Sequence, residues 1–384
     1  MKRILFLPFF LILCSLISCK KHFAYEVKEI DFVNKSDTLI DGALVDITLP
    51  VGLANFTMCD SIFLFLTDDA SAQLLAYSAN DGRLLGRFCG KGRAKYEIIG
   101  PSMISHLVFK DPNGSIILPL VEQRSAIKMI NITESLKKNR TIVQDVRECS
   151  SIYYILLDND INNTLEYFPA ERDIVYRDII EPPYFEVKRN GEEEGKRIKM
   201  YPKMMNLENF SDALLFYHGV MHKHPSRNMV VQPFIFMDYV LFMDIDNNKY
   251  FAVHQVGSLS FDDYISASST VGEDYVLMHE GRKLLDHFGD TFCTESFIMS
   301  LYTAGDYCTN VEEGGKVCPE LIIFDWEGNL KRSIKLAKPV HCISFDSNNN
   351  TLYGVDMAED IMYRFDLSDI ITGFQNSSNI PTNY

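Results

Sequence analysis

Three histidines lie close together in the segment YHGVMHKHPSRN (217–228). They are His218, His222 and His224, the densest group of nitrogen ligands in the chain. Alternate residues of a strand point to the same face, so His222 and His224 could share a metal ion. The same residues are also typical of a polar loop that binds nothing. The segment is therefore a candidate ligand or metal site. We expect no cofactor, with a metal ion as the alternative.

The cysteines offer a second kind of chemistry. The chain has nine, of which Cys14 and Cys19 lie near the N-terminus. Cys308 and Cys318 flank the segment TNVEEGGKV, whose two glycines could form a hairpin that brings the thiols together. In an oxidising compartment these two would be a candidate disulfide, with buried free thiols as the alternative. The short C-x₂-C spacing of zinc sites does not occur.

Other polar segments match catalytic or ligand motifs only in part. GKGRAKYE (90–97) has glycines and basic residues but lacks the spacing of a phosphate-binding loop, so we predict a turn that links two repeats. DNDINNTLE (158–166) lacks the glycine that a calcium loop needs. The sequence also has no G-x-S-x-G or H-E-x-x-H motif. No catalytic residue is predicted.

The N-terminus has the layout of a signal peptide, because Lys2 and Arg3 precede an apolar run over residues 4–17. That run is shorter than the roughly 20 residues that span a bilayer. Leu16-Ile17-Ser18-Cys19 resembles a bacterial lipobox, in which the cysteine is acylated and becomes the first residue. We therefore predict a lipoprotein signal peptide over 1–18 and lipidation of Cys19. An ordinary signal peptide with an incidental cysteine is the alternative.

Lys20 resembles the residue that follows the acylated cysteine in outer-membrane lipoproteins, so we expect an outer-membrane, periplasm-facing protein, with exposure on the cell surface as the alternative. Residues 19–38 mix charge with few large apolar residues, which predicts a tether. The formal net charge of −15 argues against nucleic acid, because binding a phosphate backbone needs a basic surface. The expected partners are the membrane, through the anchor, and an envelope protein or glycan. We expect a monomer.

Short apolar runs rich in Ile, Leu, Val, Tyr and Phe follow one another from residue 39 onward. Turn segments separate them, among them NDG (80–82), PNG (112–114), DNN (246–248), EGN (327–329) and DSNNN (346–350). This pattern predicts antiparallel hairpins in an all-β fold. Roughly 40 to 50 residues per repeat gives six to eight repeats and favours a six-bladed β-propeller of four-stranded antiparallel blades.

The predicted propeller covers 39–373, followed by a C-terminal tail over 374–384. The strand ALVDITL (43–49) is expected to complete the last blade and so close the ring. A β-sandwich array is the alternative architecture.

Two stretches resemble a known family. LLAYSANDGRLLGRFCGKGRAKYEIIGPSMISHLVF (74–109) and ELIIFDWEGNLKRSIKLAKPVHCISFDSNNNTLYGVDMAEDIMYRFDL (320–367) are similar to the TolB-like six-bladed propeller lipoproteins of Bacteroidetes. The first keeps Gly90, Gly92 and Glu97 of that family's linker but replaces its proline. The resemblance implies a propeller and a lipid anchor. It implies no assigned activity.

The predicted function is therefore a membrane-anchored propeller that acts as a non-catalytic binding module for a ligand or protein at the cell envelope. The alternative is a metal-dependent hydrolase or lyase of the lactonase type. In such enzymes residues from several blades converge on a metal at the central axis, and one sequence cannot reveal that convergence.

Overall fold

The computed structural model of this chain describes residues 26–32, 38–103, 107–122, 126–148, 154–157, 163–168, 171–172, 180–181, 184–189, 195–198, 219, 221–258, 268–270, 277–279, 282–283, 286–307 and 318–377. In most of the short ranges only the backbone is described. The predicted lipidation site Cys19, together with His218 and Cys308, lies outside the described residues.

The described residues form almost entirely β-structure. In chain order the strands are β1 (Glu26–Ile30), β2 (Thr38–Ile40), β3 (Ala43–Leu44), β4 (Leu53–Cys59), β5 (Ile62–Thr67), β6 (Leu74–Ser78), β7 (Leu84–Phe88), β8 (Ser102–Met103), β9 (Phe109–Lys110), β10 (Ile116–Glu122), β11 (Ala126–Asn131), β12 (Val143–Glu148), β13 (Tyr154–Leu157), β14 (Asn163–Phe168), β15 (Glu171–Arg172), β16 (Ile180–Glu181), β17 (Tyr184–Arg189), β18 (Lys196–Ile198), β19 (His222–Lys223), β20 (Met229–Pro233), β21 (Tyr239–Asp244), β22 (Lys249–Gln255), β23 (Ser268–Thr270), β24 (Leu277–His279), β25 (Arg282–Lys283), β26 (Asp286–Cys293), β27 (Phe297–Tyr307), β28 (Glu320–Asp325), β29 (Leu330–Leu336), β30 (Cys342–Asp346), β31 (Thr351–Asp356) and β32 (Ile361–Asp366). Two helices accompany them, α1 (Ile132–Lys138) and α2 (Ser368–Ser377).

Five antiparallel sheets form the blades of a β-propeller, as the sequence predicted. Blade 1 contains β4 to β7, and blade 2 contains β8, β10, β11 and β12, with β9 also paired to β10. Blade 3 contains β19 to β22, and blade 4 contains β26 to β29. Blade 5 contains β30, β31, β32 and β3.

The predicted number of six blades is wrong for the blades that the structure shows, which number five. A further antiparallel sheet, β13-β14-β17-β18, lies between blades 2 and 3 in chain order, described almost entirely by its backbone. Two small sheets, β15-β16 and β23-β24-β25, are insertions outside the blades. The estimate of six blades divided the chain length by a constant number of residues per repeat. Residues in such insertions were therefore counted as if they belonged to blades, which made the estimate too high.

The predicted hairpin turns are confirmed. DSNNN joins β30 to β31, where the Asp346 carboxylate accepts the Asn348 N–H at 3.0 Å and the Asn349 amide at 2.7 Å. Asn350 has a φ of 48°, in the left-handed region that asparagine tolerates better than most residues. The other four segments join β6 to β7, β9 to β10, β21 to β22 and β28 to β29. Asn- and Gly-rich turns thus set the antiparallel order of each blade.

Apolar side chains fill the space between neighbouring blades. Leu64 and Leu118 belong to the cluster between blades 1 and 2, while Phe63 and Met362 belong to the cluster between blades 5 and 1. Similar clusters join blade 4 to blade 5 and blade 3 to blade 4. The blades therefore follow one another in the order 3, 4, 5, 1, 2. Blade 1, made from the N-terminal part of the domain, packs against C-terminal blade 5.

The chain before β4 runs along the outer edges of three blades; we call residues 26–32 and 38–45 the N-terminal strap. β1 pairs in parallel with β22 of blade 3, and β2 pairs in parallel with β29 of blade 4. β3 pairs antiparallel with β32 and completes blade 5, so the predicted closure by this strand is confirmed. Glu26–Ile30, which lie within the predicted tether, form β1.

Candidate functional site

A cleft of about 290 Å³ lies where blade 5 meets blade 1. We call it the closure cleft. One wall is the β6–β7 turn of blade 1, and the other consists of β31, β32 and the chain that follows β3. Its lining residues are Leu44, Val45, Asp46, Phe63, Ser78, Ala79, Asn80, Asp81, Gly82, Tyr353 and Arg364. Because these residues come from both ends of the domain, the cleft exists only when the ring is closed.

Gly82 holds the two walls of the cleft close together. Its φ is +66°, and its N–H donates to the Ser78 carbonyl at 2.9 Å. A Cβ at this position would lie 2.3 Å from the backbone oxygen of Asp46. Only glycine can combine this φ with so close an approach of two backbones. The NDG turn therefore sets the width of the cleft as well as the hairpin.

Tyr353 supplies the aromatic surface of the cleft. Its ring packs edge-to-face on Phe63 with 5.0 Å between the centroids. Burial raises the pKa of Tyr353, and the nearby Asp346 carboxylate raises it further, while Arg364 lowers it. The phenol is therefore neutral at pH 7 and can both donate and accept a hydrogen bond.

Charged and amide groups surround this ring. Arg364 is exposed and lies directly opposite Tyr353 in the β31–β32 ladder. Asp46 and Asp81 are exposed carboxylates from the two walls. The Ser78 hydroxyl and then the Arg83 N–H lower the pKa of Asp81, which stays ionised at neutral pH. The cleft thus presents a guanidinium, two carboxylates and a phenol to one small volume.

A second polar cluster is buried between blades 3 and 4, around Asp238, which immediately precedes β21. Asp238 Oδ1 accepts from His287 Nδ1 at 2.6 Å and from the Tyr302 hydroxyl at 2.5 Å, and Oδ2 accepts from Ser258 Oγ at 2.6 Å. His287 and Tyr302 belong to blade 4, on β26 and β27, and Ser258 follows β22. The carboxylate therefore ties the two blades together.

The electrostatics of Asp238 indicate a structural role. Burial alone would raise its pKa, but the hydrogen bonds from His287, Ser258 and Tyr302 outweigh burial and lower the pKa to about 2. At neutral pH the side chain is an anion whose two oxygens accept three hydrogen bonds. Such a carboxylate is a weak proton acceptor and holds its donors in fixed positions.

The predicted histidine site is only partly described. His222 lies on β19 and His224 follows it, and both are buried, with 1% of each residue exposed. His224 Nδ1 accepts the backbone N–H groups of Ser226 and Arg227 at 3.1 and 3.2 Å. Its Nε2 lies 3.1 Å from the Glu295 carbonyl oxygen and 2.9 Å from Nε of Arg227.

His224 thus connects blade 3 to the β26–β27 hairpin of blade 4. Its ring also packs against Trp326 with 4.7 Å between centroids. Burial, followed by the charge of Arg227, lowers its pKa, so the imidazole is neutral. No group of three or more His, Cys, Asp or Glu side chains that could hold a metal occurs among the described residues. A site that includes His218 stays a prediction.

No disulfide joins two of the described cysteines. Cys318 is exposed, and because Cys308 lies outside the described residues, their disulfide also stays a prediction. Burial raises the pKa of Cys59 to about 11 and that of Cys89 to about 12, and it places those of Cys293 and Cys342 well above the ordinary value. These four thiols are therefore protonated and weakly reactive at neutral pH.

The predicted linker over 90–97 is confirmed, because this segment runs between β7 of blade 1 and β8 of blade 2. Lys91 bridges to Ile98, and the Glu97 carboxylate accepts the Ala94 N–H at 2.9 Å. The Glu97 carbonyl accepts a hydrogen bond from Lys128, which also pairs with Glu122 at 3.1 Å. The glycines and charges of this segment fix a blade crossing.

The closure cleft and the Asp238 cluster were not predicted from the sequence. Asp46, Asp81 and Arg364 are far apart in the chain, and nothing local marks them as neighbours. Asp238 did carry a usable signal. It stands alone in the apolar run FIFMDYVLFM (234–243), and an acid buried by such a run requires hydrogen-bonding partners.

No protein-family model matches the sequence, and no curated protein matches it. Solved structures match at low similarity. A predicted exported protein from Bacteroides fragilis is 12% identical, with a TM-score of 0.49, covering 89% of this chain and 98% of that one. Hydrazine synthase of Kuenenia stuttgartiensis is 12% identical, with a TM-score of 0.44 and coverage of 87% and 81%.

A third match is the β-propeller domain of Cps50 (Swd1) from Myceliophteria thermophila, which is 8% identical, with a TM-score of 0.41 and coverage of 85% and 100%. By its own strand order, this chain is an all-β propeller with four-stranded antiparallel blades. Within the described ranges, no helix is long and apolar enough to cross a membrane.

Proposed function

We propose that this protein is a lipid-anchored β-propeller of the cell envelope that binds a saccharide in the closure cleft without catalysing a reaction. The observation that carries the proposal is the cleft itself, which places Arg364, Asp46 and Asp81 around the ring of Tyr353. A propeller is a rigid frame on which such a binding site can be held between blades.

The chemistry of the lining favours a polyhydroxylated ligand. Carboxylates accept hydrogen bonds from hydroxyl groups, a guanidinium donates to them, and a neutral phenol does both. About 290 Å³ is at the lower end of ligand-pocket volumes, which run from roughly 300 to 1,000 Å³. One or two sugar units fit this volume better than an extended cofactor does.

The anchor belongs to the same proposal. Cleavage after Ser18 and acylation of Cys19 would place the propeller at the outer membrane, facing the periplasm. Multiple acyl chains are a firm anchor, because each buried methylene contributes about 0.8 kcal/mol. Membership of the TolB-like propeller lipoproteins of Bacteroidetes is also part of the proposal.

Two measurements test these parts separately. Isothermal titration of the protein with a panel of neutral mono- and disaccharides should reveal binding that is lost in Arg364→Ala and kept in Arg332→Ala, an exposed arginine of blade 4. The saccharide site would be refuted if no saccharide of the panel bound the protein, or if Arg364→Ala bound as tightly as the wild type. Hydrolysis of a lactone panel that chelation abolishes would instead favour the metal-dependent enzyme.

For the anchor, mass spectrometry of the protein purified from bacterial membranes should find a diacylglyceryl group on an N-terminal Cys19. The Cys19→Ala variant should fractionate away from the membrane. An unmodified Cys19, or membrane retention of the variant, would refute the lipoprotein assignment.

A further inference from the structure

The N-terminal strap is fixed firmly to blade 3. All five residues of β1 are in register with β22, from Glu26 opposite Phe251 to Ile30 opposite Gln255. The Lys28 ammonium donates to the Glu327 carbonyl at 2.8 Å and lies 4.3 Å from the centre of the Phe251 ring. Lys28 therefore connects β1 to blade 4 as well as to blade 3.

The end of this segment is buried between the same two blades. Phe32 is completely buried, and its ring lies 5.2 Å from Tyr302 and 5.9 Å from Phe288, centre to centre. Its backbone N–H donates to Gln255 Oε1 at 2.9 Å, and Gln255 Nε2 donates to Asp31 at 3.1 Å. The strap cannot leave blade 3 unless the interface between blades 3 and 4 opens.

The chain length before β1 limits how far blade 3 can stand from the anchor. Glu26 follows Cys19 by seven positions. A fully extended chain spans at most about 3.6 Å per residue, so Glu26 stays within about 25 Å of the acylated cysteine. The residues directly after the cysteine include Lys20, Lys21 and His22, and two of these are cations that complement anionic lipid headgroups.

We propose that the outer edge of blade 3, formed by β1, faces the lipid bilayer, so that the propeller stands on its rim. This inference rests on the proposed acylation of Cys19. The exposed side chains of β1 are Glu26 and Glu29, which anionic headgroups repel, so the acyl anchor and the short tether hold this edge near the surface and the edge does not insert. The partner is a phospholipid surface.

This orientation leaves the closure cleft accessible. In the blade order 3, 4, 5, 1, 2 the cleft lies between blades 5 and 1, so neither of its walls belongs to blade 3. Both ends of the ring are then open to the aqueous compartment. A saccharide can reach the cleft without passing the membrane.

Quenching of a fluorescent label by nitroxide-headgroup lipid tests the orientation in the full acylated protein. The label is placed on Glu26→Cys or, on the outer strand of blade 1, on Leu84→Cys. Cys149, Cys308 and Cys318 are replaced by serine, and the raised pKa values of Cys59, Cys89, Cys293 and Cys342 keep these thiols unreactive. The vesicles contain phosphatidylethanolamine and phosphatidylglycerol.

We expect quenching at position 26 to exceed that at position 84 several-fold. A linker of about 20 Gly and Ser residues between His22 and Phe23 should remove most of this difference, because such a chain reaches about 5–6 Å × √n. Equal quenching at the two positions, or stronger quenching at 84, would overturn the orientation. Protein that does not bind the vesicles at all would refute the anchor itself, and the orientation with it.

Discussion

The interface between blades 3 and 4 and the interface between blades 5 and 1 differ in what occupies them. The first is filled by the ring of Phe32 and by the Asp238 cluster, in which every carboxylate oxygen accepts a hydrogen bond. The second has an apolar interior but widens into a polar cleft of about 290 Å³. The same kind of blade contact can therefore hold the ring together or bind a ligand.

Removing Phe32 should have the largest effect on stability. Phe32→Ala leaves a cavity among Phe288, Tyr302 and Phe324 and should lower the free energy of unfolding by about 3–5 kcal/mol. Denaturant unfolding followed by circular dichroism measures this change. Leu39→Ala is the control, because Leu39 is 67% exposed on β2 and its loss should cost about 0.5 kcal/mol or less. Similar losses for the two variants would contradict a structural strap.

Neutralising Asp238 should cause the next largest decrease in the free energy of unfolding. Asp238→Asn keeps the shape but removes the charge and places an amide N–H₂ against groups that already donate. We expect a loss of about 2–3 kcal/mol, since hydrogen bonds to a buried charge are strong. Thermal unfolding checks this value against Asp41→Asn, whose exposed ion pair with Lys338 should contribute little. An unchanged melting temperature in Asp238→Asn would show that the cluster does not hold the blades.

The same carboxyl group predicts a dependence on pH. Its pKa is about 2 in the folded protein and about 3.8 when exposed, so its contribution is present above pH 4 and is lost as the pH falls through 2. The ionised carboxylate contributes roughly 2 kcal/mol to the free energy of unfolding. Chemical unfolding between pH 5 and 2 should therefore show a steeper loss of stability for the wild type than for Asp238→Asn. Parallel pH profiles would mean that the folded pKa is not depressed.

Gly82→Ala should change the shape of the closure cleft, and it should lower the free energy of unfolding less than the Phe32 and Asp238 variants do. The new Cβ would meet the Asp46 backbone oxygen, so the β6–β7 turn must move and the cleft must change shape. Gly114→Ala is a matched control, because Gly114 also has a positive φ but has nothing within 4 Å of the added atom. Gly114→Ala should lose about 1 kcal/mol from backbone strain alone, and Gly82→Ala should lose more because its Cβ also meets a backbone oxygen. Only Gly82→Ala should weaken saccharide binding, and equal binding by the two variants would argue against the cleft.

Arg364→Ala should have the smallest effect on stability. Its side chain is exposed, so the free energy of unfolding should change by about 0.5 kcal/mol or less. A loss of saccharide affinity in the folded variant would then be a direct effect on the ligand. A large fall in stability would instead assign Arg364 a structural role.

Local sequence signals predicted the elements of this fold well. Asn-Gly and Asp-rich turns identified the hairpins, and the strand at 43–49 was correctly expected to close the ring at Ala43–Leu44. The blade count could not be obtained in this way, because insertions such as β15-β16 lengthen the chain without adding a blade. The burial of Phe32 was also not predictable, since its aromatic partners Phe288, Tyr302 and Phe324 lie more than 250 residues away.

The candidate site was less predictable than the fold. The closure cleft joins Asp46 and Asp81 to Tyr353 and Arg364, and only the closed ring brings these residues together. Conversely, the clustered histidines suggested ligand chemistry, yet His224 connects two blades. Residues that are close in sequence indicate local structure. A site between blades is formed by residues that only tertiary packing brings together.

Saccharide titration of two variants side by side tests the central claim most directly, namely that one blade interface binds ligand while the other holds the ring. We predict that Arg364→Ala loses saccharide binding but unfolds like the wild type. We also predict that Asp238→Asn is less stable but, while folded, binds saccharide with unchanged affinity. Binding that survives in Arg364→Ala, or is lost in folded Asp238→Asn, would contradict this claim.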